Sequence, residues 1–541
     1  MLGYTVQDGM VPTADPSSLS SSSDGDGRVL PPDVLVINTC GFLQTARDES
    51  NTAIAQALLH KQHQHQQSSH STKNQNSTTK VIVTGCMANL PEQRDRILRD
   101  YPGVDAVIGS GEIDTIVETI HALEEDGTIR PTRTNHRKKA KKRKGTKREQ
   151  PSTTTMMVEM NERKDEGSNT NPASSSSSSS LLLRRSQRKS FLEQGDTPRF
   201  LATPPHYAYL KIAEGCRKRC KFCVIPKLKG RLQSKPIKQI VDEFHAIVDH
   251  GTAREVILIA QDLGDYGYDF RSSKKEKRRG YLTELLRSIL SSIDDDNNND
   301  DKNTTSLFWL RLLYLYPDEI EPELIQLMKE EKRIARYLDM PIQHIHDDIL
   351  TAMRRKTTSG HIKQTITDLR THLPDIHFRT SLMVGFPGET EDHFEELLQF
   401  VRDYKLDHVG VFMYSNEEMA PSYHLVDQIP ENIKQDRYNR LMEEQWKVVE
   451  ARHQQRIDVS ERLLVVIEGL KDDEDGEKEG HTKSAESPRI VGRHAGQCPE
   501  IDSQVILEGN PRVYPGERYW VQCIGYEGYD LIGRVLFEEE E

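Results

Sequence analysis

The 541 residues suffice for about three domains, but with 35% hydrophobic and 29% charged side chains the chain cannot be globular throughout, and polar segments must separate the folded ones. Seven cysteines, an odd number with three at ligand spacing, do not read as a secreted disulfide framework and favour a reducing compartment. The formal net charge of −12 argues against a uniformly basic nucleic-acid surface, and no apolar run approaches the roughly 18 residues of a membrane span.

The start, Met1-Leu2-Gly3-Tyr4, carries neither a signal-peptide core nor an arginine-rich transit pattern. Two strand-like runs, 33–39 and 80–85, lead into Cys40 and Cys86, and a helix-like stretch follows each. This β-α pattern puts both cysteines at the carboxyl ends of parallel strands, where open α/β sheets place ligands, so the two can meet. Residues 60–80, rich in Gln, His, Ser and Asn, read as a surface insertion whose histidines are solvated rather than metal-bound. From about 125 to 200 apolar periodicity vanishes, and a basic run at 137–144 and a serine run at 174–180 mark a disordered linker. The basic run reads as solvated chain in preference to an RNA contact or an address.

Order resumes with a strand at 206–213, which delivers Cys216, Cys220 and Cys223. Helices at 241–250, 281–291, 321–329, 347–354 and 391–404 then alternate with strands at 255–260, 307–316, 335–340, 378–384 and 407–414. Repeating β-α units of this length predict a parallel barrel or partial barrel with active groups at the carboxyl ends of its strands. The polar tracts 271–279 and 294–303 read as loops within it. After a helical stretch to about 456, short strands at 462–468, 503–507, 518–524 and 530–537 predict a small OB-like β-barrel, interrupted by an acidic loop at 472–479. The division is therefore an amino-terminal α/β domain (1–125), a linker (126–200), a β/α partial barrel (201–452) and a β-barrel (453–541).

Cys216, Cys220 and Cys223 follow a C-x3-C-x2-C pattern. Three thiolates on a four-iron cube leave one iron open, whereas structural clusters and structural zinc sites close the metal with four protein ligands. The next residues, Val224-Ile225-Pro226-Lys227, offer no fourth ligand for zinc. The spacing resembles the signature of radical S-adenosylmethionine (SAM) enzymes, in which SAM occupies the open iron and is cleaved to a deoxyadenosyl radical. Phe222 stands at the position that lies against the cofactor in that family.

Three blocks together resemble the methylthiotransferase branch of these enzymes. Asn38-Thr39-Cys40-Gly41-Phe42 with Thr84-Gly85-Cys86 is similar to the methylthiotransferase domain, the middle block to the radical SAM core, and the tail to a TRAM domain. His206 to Ile212 with Glu214-Gly215-Cys216, Leu312 to Pro317, and Tyr337 to His344 resemble the enzymes that methylthiolate an aspartate of small-subunit ribosomal protein S-twelve. The tRNA-modifying branch would carry a Pro-Val-Gln-Ser-Gly-type segment where this chain has Pro341-Ile342-Gln343-His344. In the tail, Arg489, Arg493, Arg512, Arg518 and Arg534 are outnumbered by Glu500, Asp502, Glu508, Glu517, Glu527, Asp530 and 538–541. A net acidic barrel suits a basic ribosomal protein better than tRNA. A tRNA adenosine methylthiotransferase and a non-catalytic iron-sulfur ribosome-binding factor are the alternatives.

The resemblance implies two 4Fe-4S clusters. Cys216, Cys220 and Cys223 would hold the one that cleaves SAM, and the amino-terminal cysteines an auxiliary one that carries the inserted sulfur. Gln261 and Asp262, Arg379, and Gly385-Phe386-Pro387-Gly388 match segments near SAM, although the glycines also serve a turn and Arg379 can equally pair with an acid of the barrel. Cys498 and Cys523 read as buried free thiols. The family's amino-terminal set has three cysteines where this chain shows Cys40 and Cys86, so the recorded start is expected to be truncated or the auxiliary cluster incomplete. The implied partners are the ribosomal protein and a reductant such as flavodoxin or ferredoxin, with tRNA less favoured and no membrane. The implied location is cytoplasmic or organellar.

Overall fold

The computed structural model describes residues 34–68, 79–126, 203–248, 253–270, 281–297, 309–470, 489–509 and 511–537. The expected linker and the loops at 271–279 and 472–479 lie outside these residues.

The amino-terminal unit is a three-stranded parallel sheet of β1 (Val34–Thr39), β2 (Lys80–Gly85) and β3 (Ala106–Gly109) with β2 central. Burial alternates with the pleat. Val81 and Val83 pack on Ile54 of α1 (Gln44–Ser68) and Ile97 of α2 (Pro91–Asp100), while Ile82 packs on Leu123 of α3 (Ile116–Asp126). Two findings differ from the sequence reading. Helix α1 continues through residues 60–68, where a loop was expected, and β3 was not foreseen, its four residues being too short for a visible period.

The central unit opens with β4 (Tyr207–Lys211), a ribbon of β5 (Ala213–Glu214) and β6 (Gln233–Ser234), and the short helix α4 (Ile225–Leu228). Then α5 (Ile237–Val248), β7 (Glu255–Ile259), α6 (Tyr281–Asn297), β8 (Trp309–Leu312), α7 (Pro322–Glu330), β9 (Ile334–Asp339), α8 (Asp347–Ala352), α9 (Ser359–His372), β10 (His377–Val384), α10 (Glu391–Tyr404), β11 (His408–Met413) and α11 (Glu431–Asp458) follow. The six long strands form an open parallel sheet in the order β11-β10-β9-β8-β7-β4, a partial barrel. Residues 294–297, read as loop, extend α6. Helix α9 was not foreseen, although Ile362, Ile366 and Leu369 recur at helical spacing.

One face of this sheet, with Leu210, Leu258, Leu312 and Leu338, is covered by the apolar stripes of the helices, such as Ile240, Phe244 and Ile247 of α5 and Phe394, Leu397 and Val401 of α10. Each such side chain contributes about 1.5–3 kcal/mol by leaving water, and truncating one, as in Leu338→Ala, costs about 2–5 kcal/mol. Helix α10 begins at a capping box in which Thr390 Oγ1 accepts from His393 N and His393 Nδ1 accepts from Thr390 N.

The other, concave face carries Tyr207, Ile257, Trp309 and Tyr337. It is filled by the carboxy-terminal unit, a closed barrel of β12 (Arg462–Leu470), β13 (Ile490–His494), β14 (Val505–Leu507), β15 (Arg518–Glu527) and β16 (Asp530–Leu536), ordered β12-β13-β14-β16-β15. Its loop 495–502 enters the sheet. Tyr207 Oη donates to Glu500 Oε1 at 2.7 Å, Tyr209 Oη to Glu500 Oε2 at 3.1 Å, and Tyr337 Oη to Asp502 Oδ2 at 2.7 Å. Helix α11 crosses the expected boundary at 452–453 and ties both units together. Its buried stripe is largely polar: Lys434 Nζ donates to Tyr414 O at 2.9 Å, Gln445 Nε2 to Leu406 O at 3.1 Å and His453 Nε2 to Tyr529 O at 3.1 Å. Cys498 and Cys523 are buried free thiols, at the sheet face and in the barrel core respectively.

Candidate active site

The loop between β5 and β6 gathers the three motif cysteines at the carboxyl edge of the sheet. It turns on Gly215, where φ is +77° and a Cβ would stand 2.3 Å from Arg231 O, so no other residue fits without moving Cys216. Lys218 N donates to Cys216 Sγ at 3.4 Å, and Cys223 N donates to Cys220 O at 3.2 Å. Cys220 Sγ lies 3.7 Å from Tyr316 Oη and 4.0 Å from Arg355 Nη1, and the Arg355 guanidinium stacks 4.2 Å from the centre of the Tyr316 ring. Burial, with Asp262, Cys223 and Cys220 nearby, pushes the Cys216 thiol up to about 12, and burial with Cys220 pushes the Cys223 thiol up to about 11. Metal binding therefore has to displace protons.

Above the loop lie three carboxylates, Asp262 and Asp265 after β7 and Glu319 after β8, answered by Lys218 and Arg217. Lys218 Nζ lies 3.5 Å from Asp262 and 3.8 Å from Asp265. Asp262 is fully buried and, apart from its ion pair with Lys218, its carboxylate oxygens have no hydrogen-bond partner among the described residues; Gln261 Oε1 is also buried without one there. Burial and the adjacent Asp265 push the Asp262 carboxyl up to about 7. Buried carboxylates that outnumber the cations beside them, with Gln261 Oε1 next to them and three thiols below, suit a cationic ligand that brings its own N–H groups. SAM, with an ammonium and a sulfonium, meets that description, and an iron-sulfur cluster suits the thiols.

Phe222 packs with Phe386, Tyr414, Ile349 and Met353 in an apolar wall beside the loop. Gly385 and Gly388 both have positive φ, +75° and +86°. At Gly385 a Cβ would meet Lys434 of α11 at 2.3 Å, so this glycine lets the helix approach; beside Gly388 the space is open. Pro387 lies in the turn between them. Glu389 holds the turn from behind, accepting from Gly385 N and facing His344 Nε2 at 3.6 Å and Arg437 Nη1 at 3.5 Å. Arg379 stands apart, with its guanidinium 3.2 Å from Asp339 and 3.4 Å from Asp502 of the barrel loop. It takes the acid-pairing role.

In the amino-terminal unit the register pairs Thr39 with Gly85, so Cys40 and Cys86 leave adjacent strands side by side, with Cys86 N donating to Thr39 O at 2.9 Å. Cys40 is exposed and Cys86 half-buried. Lys229, beside α4, reaches Glu214 at 3.1 Å and also hydrogen-bonds Cys86, so this cysteine pair faces the loop of the other three. The facing surfaces are joined by Phe42 and Leu90 packed on Val224, Leu228 and Ala420, by Asn89 Nδ2 donating to Leu228 O at 3.0 Å, and by the buried ion pair Arg47–Glu417 at 2.8 Å.

Sequence reasoning did not name Lys218, Arg355, Tyr316, Asp265, Glu319 and His344 as site residues, although Tyr316 and His344 stand in the segments that carry the resemblance. Lys218 sits inside the cysteine motif and Tyr316 ends a β run, so their positions were visible; the direction of the Arg355 and Glu319 side chains had no sequence signal. The acidic tail also changes meaning. Glu500 and Asp502 face the sheet, while at the surface Glu527 pairs with Arg489 at 2.5 Å and Glu508 with Arg534 at 2.6 Å, so these four acids are each answered by a donor or a cation.

Three family models match the chain: the uncharacterized protein family UPF0004 at residues 27–109, the radical SAM superfamily at 210–401 and the TRAM domain at 462–536. The chain is 39% identical to the "Ribosomal protein uS12 methylthiotransferase RimO" of Protochlamydia amoebophila over 93% of its length and 85% of that relative. It is 36% identical to the protein of that name from Chlamydia abortus, over 93% of this chain and 87% of the other. For the one from Bdellovibrio bacteriovorus the values are 32%, 94% and 90%. With all three blocks matched in order, the chain belongs to the RimO family of radical SAM methylthiotransferases.

Proposed function

We propose that this enzyme adds a methylthio group to the β-carbon of an aspartate in small-subunit ribosomal protein S-twelve. The observation that carries the reading is near-full-length similarity to relatives named for that activity. The gathered thiols beside the buried carboxylates Asp262, Asp265 and Glu319 support it. A flavodoxin or ferredoxin is the expected class of reductant.

In this reading Cys216, Cys220 and Cys223 would hold a 4Fe-4S cluster next to the SAM site, and Cys40 and Cys86, with one further ligand, would hold a second. When bound, these groups supply an electron, a carbon-centred radical able to take hydrogen from an unactivated aspartate β-carbon, and the sulfur to be inserted. Asp262 and Gln261 would accept hydrogen bonds from the ammonium of SAM. Tyr316 and Arg355 donate toward the Cys220 sulfur and offset the charge that accumulates there. Phe222, Phe386 and Tyr414 exclude water from one side. Arg379 acts by fixing Asp339 against the barrel loop.

The test is an anaerobic reconstitution with iron, sulfide, SAM and reductant, read by mass spectrometry on a peptide carrying the target aspartate loop, with tRNA in parallel. A methylthio gain on the peptide, absent in Cys216→Ala, is expected. Gain on tRNA alone would transfer the reading to the tRNA branch, and cleavage of SAM undiminished in Cys216→Ala would overturn the cluster assignment.

A further inference from the structure

At the amino ends of β10 and β11, on the edge of the sheet away from the cysteine loop, a cavity of about 430 Å³, including its open mouth, lies between α11 and the carboxy-terminal barrel. Four histidines, His377, His408, His453 and His494, and two arginines, Arg452 and Arg456, line it with one carboxylate, Asp407. None of these groups belongs to the site described above.

The hydrogen bonds leave this lining rich in donors. His494 Nδ1 accepts from Gly496 N at 3.0 Å, which places the ring hydrogen on Nε2; that nitrogen faces Arg456 Nη1 at 3.2 Å, donor against donor. His377 Nδ1 can only donate to Arg336 O, at 3.4 Å, so its Nε2 accepts from Arg456 Nη2 at 3.1 Å. His453 Nε2 donates to Tyr529 O, which leaves Nδ1 buried and without a partner among the described residues, in a residue 7% exposed. Ser503 Oγ accepts from Gln497 Nε2 at 3.2 Å and keeps its own hydrogen to donate.

We infer that this cavity is a binding site for a tetrahedral oxyanion of the phosphate class, free or as the head of a phosphomonoester. An oxyanion between Arg456 and His494 Nε2–H accepts from both and resolves their opposition. It also gives His453 Nδ1 a reason to take a proton and become a further donor. Arg452 pairs with Asp407 and Arg456 lies 3.4 Å from Glu461, and an oxyanion can accept from Arg456, His494 and Ser503 together where a single water offers only two lone pairs.

Binding is then coupled to proton uptake. Burial, with Arg456, His408 and Arg452, holds His377 down at about 3; burial with Arg456, His377 and His408 holds His494 well below its usual value; burial with Arg456 and His408 lowers His453 despite its bond to Tyr529 O. The remaining charged and titratable groups around them are Asp407 paired with Arg452, Glu461 at 3.4 Å from Arg456, Asp502 at 3.6 Å from His408, Arg311 of β8, Arg370 of α9, and the Tyr526 ring 5.6 Å from His453. An anion opposes the lowering by the arginines, so the histidines charge more readily in the complex and affinity rises as pH falls.

The test uses the full chain and sulfate, which stays a dianion across the range, titrated by calorimetry at about pH 6 and about pH 8 with chloride holding ionic strength constant. One proton taken up changes affinity by at most about tenfold per pH unit, and a rise of at least about tenfold toward pH 6 is expected. His453→Asn keeps a donor for Tyr529 O but cannot charge, and should flatten the pH dependence; Arg456→Gln should weaken sulfate at least about tenfold at both pH values. Inorganic phosphate and adenosine monophosphate, titrated in parallel, separate the free ion from the ester as the better ligand. Absence of sulfate binding at both pH values, or binding and pH slope unchanged in both variants, would overturn the site. Because the readout is binding far from the cysteines, the outcome does not depend on the proposed substrate.

Discussion

Glu255 on β7 and Arg493 on β13 meet inside the partial barrel, with Oε2 and Nη2 2.5 Å apart and neither side chain more than 3% exposed. Arg311 of β8 closes the other side, 2.6 Å from Glu255 Oε1, and Arg493 also reaches Glu468. Burial alone would push the Glu255 carboxyl upward, yet Arg493 and Arg311 hold it below the usual carboxylate range. The carboxy-terminal barrel is thus joined to the sheet by charges inaccessible to solvent, and the loop that fills the concave face is seated by them.

Truncating one member of this network strands the others. Arg493→Met should destabilise the chain by about 3–5 kcal/mol, the range for breaking a buried pair from one side. Replacing Glu255, Arg311 and Arg493 together by apolar residues of similar volume should cost far less, since desolvation of all three charges is then avoided. Urea titrations of the single and triple variants decide it; a single variant within about 0.5 kcal/mol of the parent, the range of an ordinary surface change, would show that the network carries no anchoring energy.

Acid should loosen the junction of sheet and barrel. In the folded chain His377 stays neutral down to about 3 and His494 is lowered in the same sense, whereas in the unfolded chain both titrate near 6.5. The unfolded state therefore binds more protons below about 6.5, so stability is complete above that value and is lost as pH falls toward the folded values. Each histidine contributes a slope of up to about 1.4 kcal/mol per pH unit. Urea midpoints at about pH 7 and about pH 5, in chloride buffers, should show the loss, and His377→Gln should reduce it. An identical pH slope in that variant would remove His377 from the account.

At Gly215 the backbone and the packing demand the same thing. Gly215→Ala forces an L residue to φ +77° and drives its Cβ to 2.3 Å from Arg231 O. Cys216 must move, so iron content and cluster absorbance after reconstitution should fall by more than about half. Gly388→Ala, with open space around a similarly positive φ, should lose only about 1 kcal/mol of stability and retain its iron. Equal iron in the parent and Gly215→Ala would mean that the loop tolerates the shift.

The amino-terminal unit is held to the core through Glu417, which accepts from Gln44 N at 3.0 Å and pairs with Arg47 at 2.8 Å. Glu417→Ala leaves Arg47 buried without a counter-charge, at a cost of about 3–5 kcal/mol. The unit should then be released by limited proteolysis sooner than in the parent. A matching double variant, Arg47→Ala with Glu417→Ala, should recover part of the resistance; no difference between the single variant and the parent would assign the contact to Phe42, Leu90 and their apolar partners alone.

Local periodicity was enough for most elements. The stripes of α5 and α10 and the alternating β runs are short-range patterns, and so is the C-x3-C-x2-C spacing that marks the cluster loop. The inward side of α11 was less legible, because its buried stripe of Lys434, Arg437, Gln445 and His453 looks like a solvent face until the partners Tyr414 O, Glu389 O, Leu406 O and Tyr529 O are in place. The same holds for the acids of the tail: Glu500 and Asp502 count as negative surface in a composition, and become acceptors for tyrosines 291 to 293 and 165 residues away once the barrel loop enters the sheet. By itself the sequence determined the chemistry the chain can hold, since ligand spacing and apolar period are set by neighbours within a few residues. The tertiary structure alone decided where charge is buried, which acids are answered, and that a second, donor-rich cavity faces away from the cysteines, because each depends on desolvation by residues that chain distance does not bring together.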